Sequence, residues 1–106
     1  MKFEIRKYEL PDGGCPVDEW RSRLSANFRM RIAKGLAKIE FGNFSNCKPI
    51  MGGDGVCEMR YDFGPGFRIY YGIDGATIVL LLCGGDKSTQ RRDIERAKRY
   101  WEEYRQ

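Results

Sequence analysis

Residues 56–71 constrain the fold more tightly than any other stretch of the chain. Two alternating runs, residues 56–61 and 67–71, flank the loop Asp62-Phe63-Gly64-Pro65-Gly66, and glycine and proline at a loop centre mark a β-hairpin. Alternation gives Cys57, Met59 and Tyr61 one face of the first strand, and Phe67, Ile69 and Tyr71 one face of the second. The two apolar sets meet on a common core face when the loop closes about Gly64, with Met59 opposite Ile69; a one-residue slip would send one set into solvent. That register sets Arg60 opposite Arg68, and Glu58 opposite Tyr70, on the other, open face. Like charges directly opposed across a sheet cost a few tenths to about 1 kcal/mol. Either Glu58 offsets this by pairing with one guanidinium, or a bound anion does, because guanidinium forks match phosphate oxygens two at a time.

The remaining elements arrange themselves around this hairpin. Residues 2–8 alternate, with Phe3 and Ile5 on one side, and read as a strand. Pro11 through Pro16 form a turn, and a helix begins near Pro16, whose fixed φ suits a first turn that Asp18 and Glu19 then complement. Val17, Trp20 and Leu24 make its apolar stripe. Ser25-Ala26-Asn27 interrupts the helix, and the stripe resumes as Phe28, Ile32, Leu36 and Ile39 until Gly42-Asn43 ends it: two helices in a hairpin, or one bent helix. A short strand is expected at residues 48–51, before the turn Gly52-Gly53-Asp54-Gly55. Residues 77–83 form an apolar run expected to be a strand covered on both faces. Gly84-Gly85-Asp86-Lys87 then reads as a strand-to-helix turn, capped by Ser88 or Thr89, whose backbone amides and lysine also suit an anion. The last helix carries Ile94, Ala97, Trp101 and Tyr104 as its stripe. The pattern predicts an α+β domain: an N-terminal strand and helical hairpin packed on a mostly antiparallel sheet of four or five strands, with a C-terminal helix.

At 106 residues the chain fits one domain, and an apolar fraction of 42% supports a real core, which excludes disorder as its main character. The longest apolar stretch, residues 76–83, is too short for a membrane span, and Glu4 and Arg6 break any signal-peptide pattern. The net charge is +4, but its distribution says more. Arg21, Arg23, Arg29, Arg31, Lys34 and Lys38 follow one another with no acid between them, and Arg31, Lys34 and Lys38 share the face of the second helix away from its stripe. Such a patch suits a polyanion, RNA or DNA first. The cysteines Cys15, Cys47, Cys57 and Cys83 lack metal-ligand spacing and the chain has no histidine, so no metal is expected and the thiols read as reduced packing residues.

Several segments together carry a family resemblance: Gly42-Asn43-Phe44; Lys48-Pro49; Glu58-Met59-Arg60-Tyr61-Asp62-Phe63-Gly64-Pro65-Gly66-Phe67-Arg68-Ile69-Tyr70; Leu82-Cys83-Gly84-Gly85-Asp86-Lys87-Ser88-Thr89-Gln90; and Asp93-Ile94 with Ala97-Lys98. The chain resembles the addiction-module killer proteins, HigB-like toxins of the RelE/ParE superfamily, densely over residues 41–98 and more loosely at Trp20, Leu24, Ile32 and Ile39. The resemblance implies a cytoplasmic toxin of a type II toxin–antitoxin pair, and a ribosome-dependent mRNA endoribonuclease that needs no cofactor or metal and promotes attack of a ribose 2′-hydroxyl on the adjacent phosphate. Arg68 matches the arginine that contacts the scissile phosphate, Arg60 the basic position before the hairpin loop, and Lys87 the basic position after the last core strand. Lys87 or Tyr70 is left for proton transfer or orientation. Arg31, Lys34, Lys38 and Lys48 are expected to dock on RNA and the ribosome. The implied partners are mRNA, the ribosome and a helix-turn-helix antitoxin held in a hetero-oligomer, with no membrane. The same superfamily leaves two alternatives open: a ParE-like protein that poisons DNA gyrase without cutting nucleic acid, and an inactive toxin that only partners its antitoxin.

Overall fold

In the computed structural model, which describes residues 2–106, β1 (Glu4–Lys7) leads into α1 (Pro16–Ser22) and α2 (Ala26–Glu40). Strands β2 (Cys47–Pro49), β3 (Cys57–Arg60), β4 (Phe67–Asp74) and β5 (Ile78–Asp86) follow, then a single 3₁₀ turn (Lys87–Thr89) and α3 (Gln90–Arg105). The strands form one sheet in the order β1-β5-β4-β3-β2. The expected α+β architecture is present, with a mixed sheet. Three of its pairings are antiparallel, while β1 lies parallel to β5.

The two helices expected in the first half are separate. Pro16 opens α1 and Asp18 and Glu19 occupy its first turn, whereas Ser25 accepts a hydrogen bond from the Phe28 amide and starts α2. Both helices cover one face of the sheet, where Val17, Trp20, Ile32, Leu36 and Ile39 meet Met59, Ile69, Tyr71, Val79 and Leu81. The opposite face is covered by α3, through Ala97, Tyr100 and Trp101 against Val56, Tyr70, Leu80, Leu82 and Cys83. Ile94 and Tyr104 pack beside them, so the stripe read from the sequence is core. Between the Tyr70–Cys83 and Tyr71–Leu81 pairs, β5 carries an extra residue, Leu82, a bulge that bends the sheet beneath α3.

Two expectations are corrected here. Gly84, Gly85 and Asp86 do not form a loop; they are the last residues of β5. The glycines serve close packing. A side chain at Gly84 would strike the Trp20 indole, and one at Gly85 would strike the Asp93 carboxylate and the Thr89 hydroxyl. The anion cradle expected at the following turn is also filled from within. The Asp86 carboxylate accepts from the Ser88 amide at 2.8 Å, and the Thr89 hydroxyl accepts from the Asp86 amide at 3.2 Å.

A candidate nucleic-acid site on the α3 face

The expected hairpin register is present pair for pair: Met59 opposite Ile69, Glu58 opposite Tyr70, and Arg60 opposite Arg68. Extended across neighbouring strands, it gives two rows of side chains on the α3 face. One row runs from Arg60 through Arg68 to Gly85, and the other from Lys48 through Glu58 and Tyr70 to Cys83. The expectation that this face is open is corrected. Because α3 lies over it, Glu58, Arg68 and Tyr70 are all buried, and Arg60 alone of the central four is exposed.

The two arginines meet their repulsion differently. Arg60 Nε donates to Glu58 Oε1 at 2.8 Å, which leaves the terminal nitrogens of its fork free. Arg68 is only 5% exposed, donates from Nη1 to the Phe67 carbonyl at 2.9 Å, and has no partner for its Nε. Among the described residues no carboxylate forms a salt bridge with Arg68. The neighbouring buried acid, Asp93, is instead occupied by the Thr89 hydroxyl and by Arg96 at 3.4 Å. A buried cation without a counter-ion destabilises a fold, which makes Arg68 a candidate for anion binding.

Lys87 joins this pair. Its aliphatic stem lies against Gly66, where a side chain would meet Cγ, Cδ and Cε at 3.0 Å, in the turn that leads into β4 just before Arg68. Arg60, Arg68 and Lys87 therefore gather at the hairpin end of the sheet. Tyr70, expected among the groups available for proton transfer or orientation, has a fully buried ring and a hydroxyl without a hydrogen-bond partner. Burial, aided by Glu58, Asp93 and Cys83, raises the Tyr70 pKa well above that of a free tyrosine, so the phenol stays protonated. The cysteines are free thiols. Burial pushes Cys83 up to about 12 and also raises Cys15, Cys47 and Cys57, which keeps them in the thiol form.

The cations expected to face RNA lie along a connected path. A groove of about 360 Å³ between α2 and the hairpin loop is lined by Arg31, Lys34, Lys38, Asn46, Tyr61 and Phe63, without a carboxylate, and the Arg31 guanidinium stacks 3.8 Å from the Phe63 ring centroid. Asn46 is shared with a second groove of about 350 Å³ that contains Lys48, Arg60 and Asp62. Lys48 and Arg60 are shared in turn with a third, of about 370 Å³, beside α3. The belt thus rounds the β2 edge of the sheet, from the α2 face to Arg60, across from which Arg68 lies buried. Asn46 is the hinge point that reading by residue type misses. It clamps β3 by donating from Nδ2 to the Arg60 carbonyl at 2.9 Å while its own carbonyl accepts from the Arg60 amide at 2.9 Å. Reading by residue type also misses Glu58 and Gln90 as groups that face the third groove; the register alone, which sets Glu58 beside Lys48 and Tyr70, is the signal for the first.

Comparison with known proteins adds one relative. The chain is 42% identical over 82 residues, 76% of its length and 81% of the other's, to a protein of Haemophilus influenzae described as uncharacterized. No family model matches the sequence, and no solved structure matches it.

Proposed function

The chain belongs to the family of that Haemophilus influenzae protein, and we propose that it is the toxin of a type II toxin–antitoxin pair, a HigB-like member of the RelE/ParE superfamily that cuts mRNA on the ribosome. The observation that carries this reading is Arg68, a buried guanidinium without a counter-ion, set directly opposite Arg60, with the Lys87 stem against Gly66 two residues before it. Cleavage joins a ribose 2′-oxygen, whose proton passes to solvent water, to the adjacent phosphorus and breaks the bond to the 5′-oxygen, leaving a cyclic phosphate and a 5′-hydroxyl. Charge accumulates on the phosphate oxygens in between, and preorganised guanidiniums in a partly dry site stabilise that charge without having to reorganise. Arg68 and the free fork of Arg60 take this role. Lys87, exposed where Tyr70 is not, supplies the proton to the departing 5′-oxygen.

The cationic belt supports the same reading, because it carries Arg31, Lys34, Lys38 and Lys48 along one path to Arg60. Phosphate neutralisation by lysine releases counter-ions. Lys34→Ala with Lys38→Ala should therefore weaken ribosome binding and flatten its log–log salt dependence by roughly two, about one for each phosphate left without its lysine. An unchanged slope would remove α2 from the interface. The antitoxin, a helix-turn-helix protein in this reading, covers the belt with acidic side chains.

Mapping RNA 5′ ends after brief induction, with and without active translation, tests the function itself. Cuts confined to translated messages are expected. Intact transcripts accompanied by DNA breaks would replace this reading with gyrase poisoning, and induction without growth arrest would replace it with an inactive partner protein.

A further inference from the structure

The third groove has a different character from the other two. Lys48 and Arg60 stand at its polar side, Ile50 and Ile94 provide apolar walls, and the Glu58 carboxylate and Gln90 amide lie between them. The Glu58 side chain is 4% exposed. A carboxylate has about four acceptor positions, yet this one accepts only from Arg60 Nε at 2.8 Å and, at the outer limit of a hydrogen bond, from Gln90 Nε2 at 3.5 Å. A nearly buried, acceptor-only group with spare capacity thus faces a cleft within the size range of small-ligand pockets.

We infer that this groove holds a guanine nucleotide of the bound RNA, with Glu58 reading the base while Arg60 and Lys48 hold its phosphate. Guanine presents two adjacent donors, N1–H and N2–H, on its Watson–Crick edge, and a carboxylate accepts both. Adenine and cytosine each set a ring-nitrogen acceptor beside their single amino group, and uracil flanks its one donor with carbonyls, so each of these turns at least one lone pair toward Glu58. Ile50 and Ile94 suit the faces of an unstacked base, the form in which single-stranded RNA is read. A cationic peptide could also donate to Glu58, but Lys48 and Arg60 at the entrance repel it. The guanidinium of Arg60 links the two halves of the site, with Nε on the base-reading carboxylate and its fork on the phosphate.

The inference rests on the RNA reading proposed above, and its test separates the two. Binding of GMP, AMP, CMP, UMP and IMP to the full chain is followed by amide chemical-shift titration. Two paired hydrogen bonds predict GMP binding roughly tenfold or more tighter than AMP, CMP or UMP, with IMP, which keeps N1–H but lacks the amino group, in between. Glu58→Gln, whose amide presents a donor, should abolish the preference, and Arg60→Ala should weaken all five nucleotides alike. The comparison of nucleotides on the unaltered protein needs no variant to fold. Equal affinities, or no binding of any nucleotide at millimolar concentration, overturn the assignment. Transcripts cut without guanine bias, together with flat nucleotide affinities, would leave RNA cleavage standing and remove the base pocket. A GMP preference with intact transcripts would keep the pocket and remove the cleavage.

Discussion

Replacing Arg68 with methionine should abolish transcript cleavage while leaving the melting temperature unchanged or raised. The two outcomes have one cause. Arg68 is 5% exposed, its Nε lacks a partner, and its nearest strand neighbour on one side is another arginine. Exchanging a buried, unbalanced ion for an apolar side chain of similar length is often neutral or stabilising by about 1–4 kcal/mol. Losing a preorganised donor to the transition-state phosphate costs a rate factor on the order of 10²–10³. The paired measurement is thermal unfolding of the purified variant alongside RNA-end mapping after induction. Undiminished cleavage would take Arg68 out of the chemistry. A collapse in melting temperature would show that the guanidinium is held for structure.

The largest stability effect is expected from Gly84→Ala. The added methyl group would overlap three ring atoms of Trp20, well inside van der Waals contact. The backbone of Gly84 is not in the left-handed region, so alanine is conformationally tolerated there and the whole cost is steric. Trp20 is 9% exposed and wedged against Phe67 in an edge-on pair, and it has little room to retreat. Forcing an extra carbon into a filled core costs about 3 kcal/mol, a fall of roughly 10–20 °C in Tm for a domain of this size. Shortening the partner should restore much of the stability: Trp20→Leu combined with Gly84→Ala should be less destabilised than the two single effects added together. Strict additivity would mean that the indole and the strand are not in conflict.

What the sequence disclosed and what it concealed follow from range. The hairpin register was legible because alternation and a glycine-centred loop are local: burial of both apolar sets limits the register to even shifts, and closure about Gly64 selects the one observed. The helix break at Ser25 was legible for the same reason. The fate of the other hairpin face was not. Arg68 and Tyr70 look solvent-facing from their own strand, and only the docking of α3 from residues 90–105 buries them. Gly84-Gly85 misled because a glycine pair signals a turn locally, whereas here it accommodates Trp20 from one side and Asp93 from the other. Glu58 was readable as a charge partner for Arg60, which it is. Its place at the floor of a cleft depended on Gln90 and Ile94, more than thirty residues away, and no periodicity connects them. Arg31, Lys34 and Lys38 were grouped correctly by helical spacing, while their continuity with Lys48 and Arg60 had to await Asn46 at the sheet edge.

The parallel seating of β1 on β5 has a bearing on how the chain is born. Among the described residues β1 pairs with no strand but β5, so Glu4–Lys7 cannot take its place in the sheet before residues 78–86 have been made. The roof over Arg68 arrives later still, with residues 90–105. Closure therefore depends on joining distant parts of the chain, a slow step by the usual relation between topology and folding speed. Until residues 90–105 dock, Arg68 and Tyr70 stand uncovered on a sheet that still lacks the apolar partners supplied by Ala97, Tyr100 and Trp101.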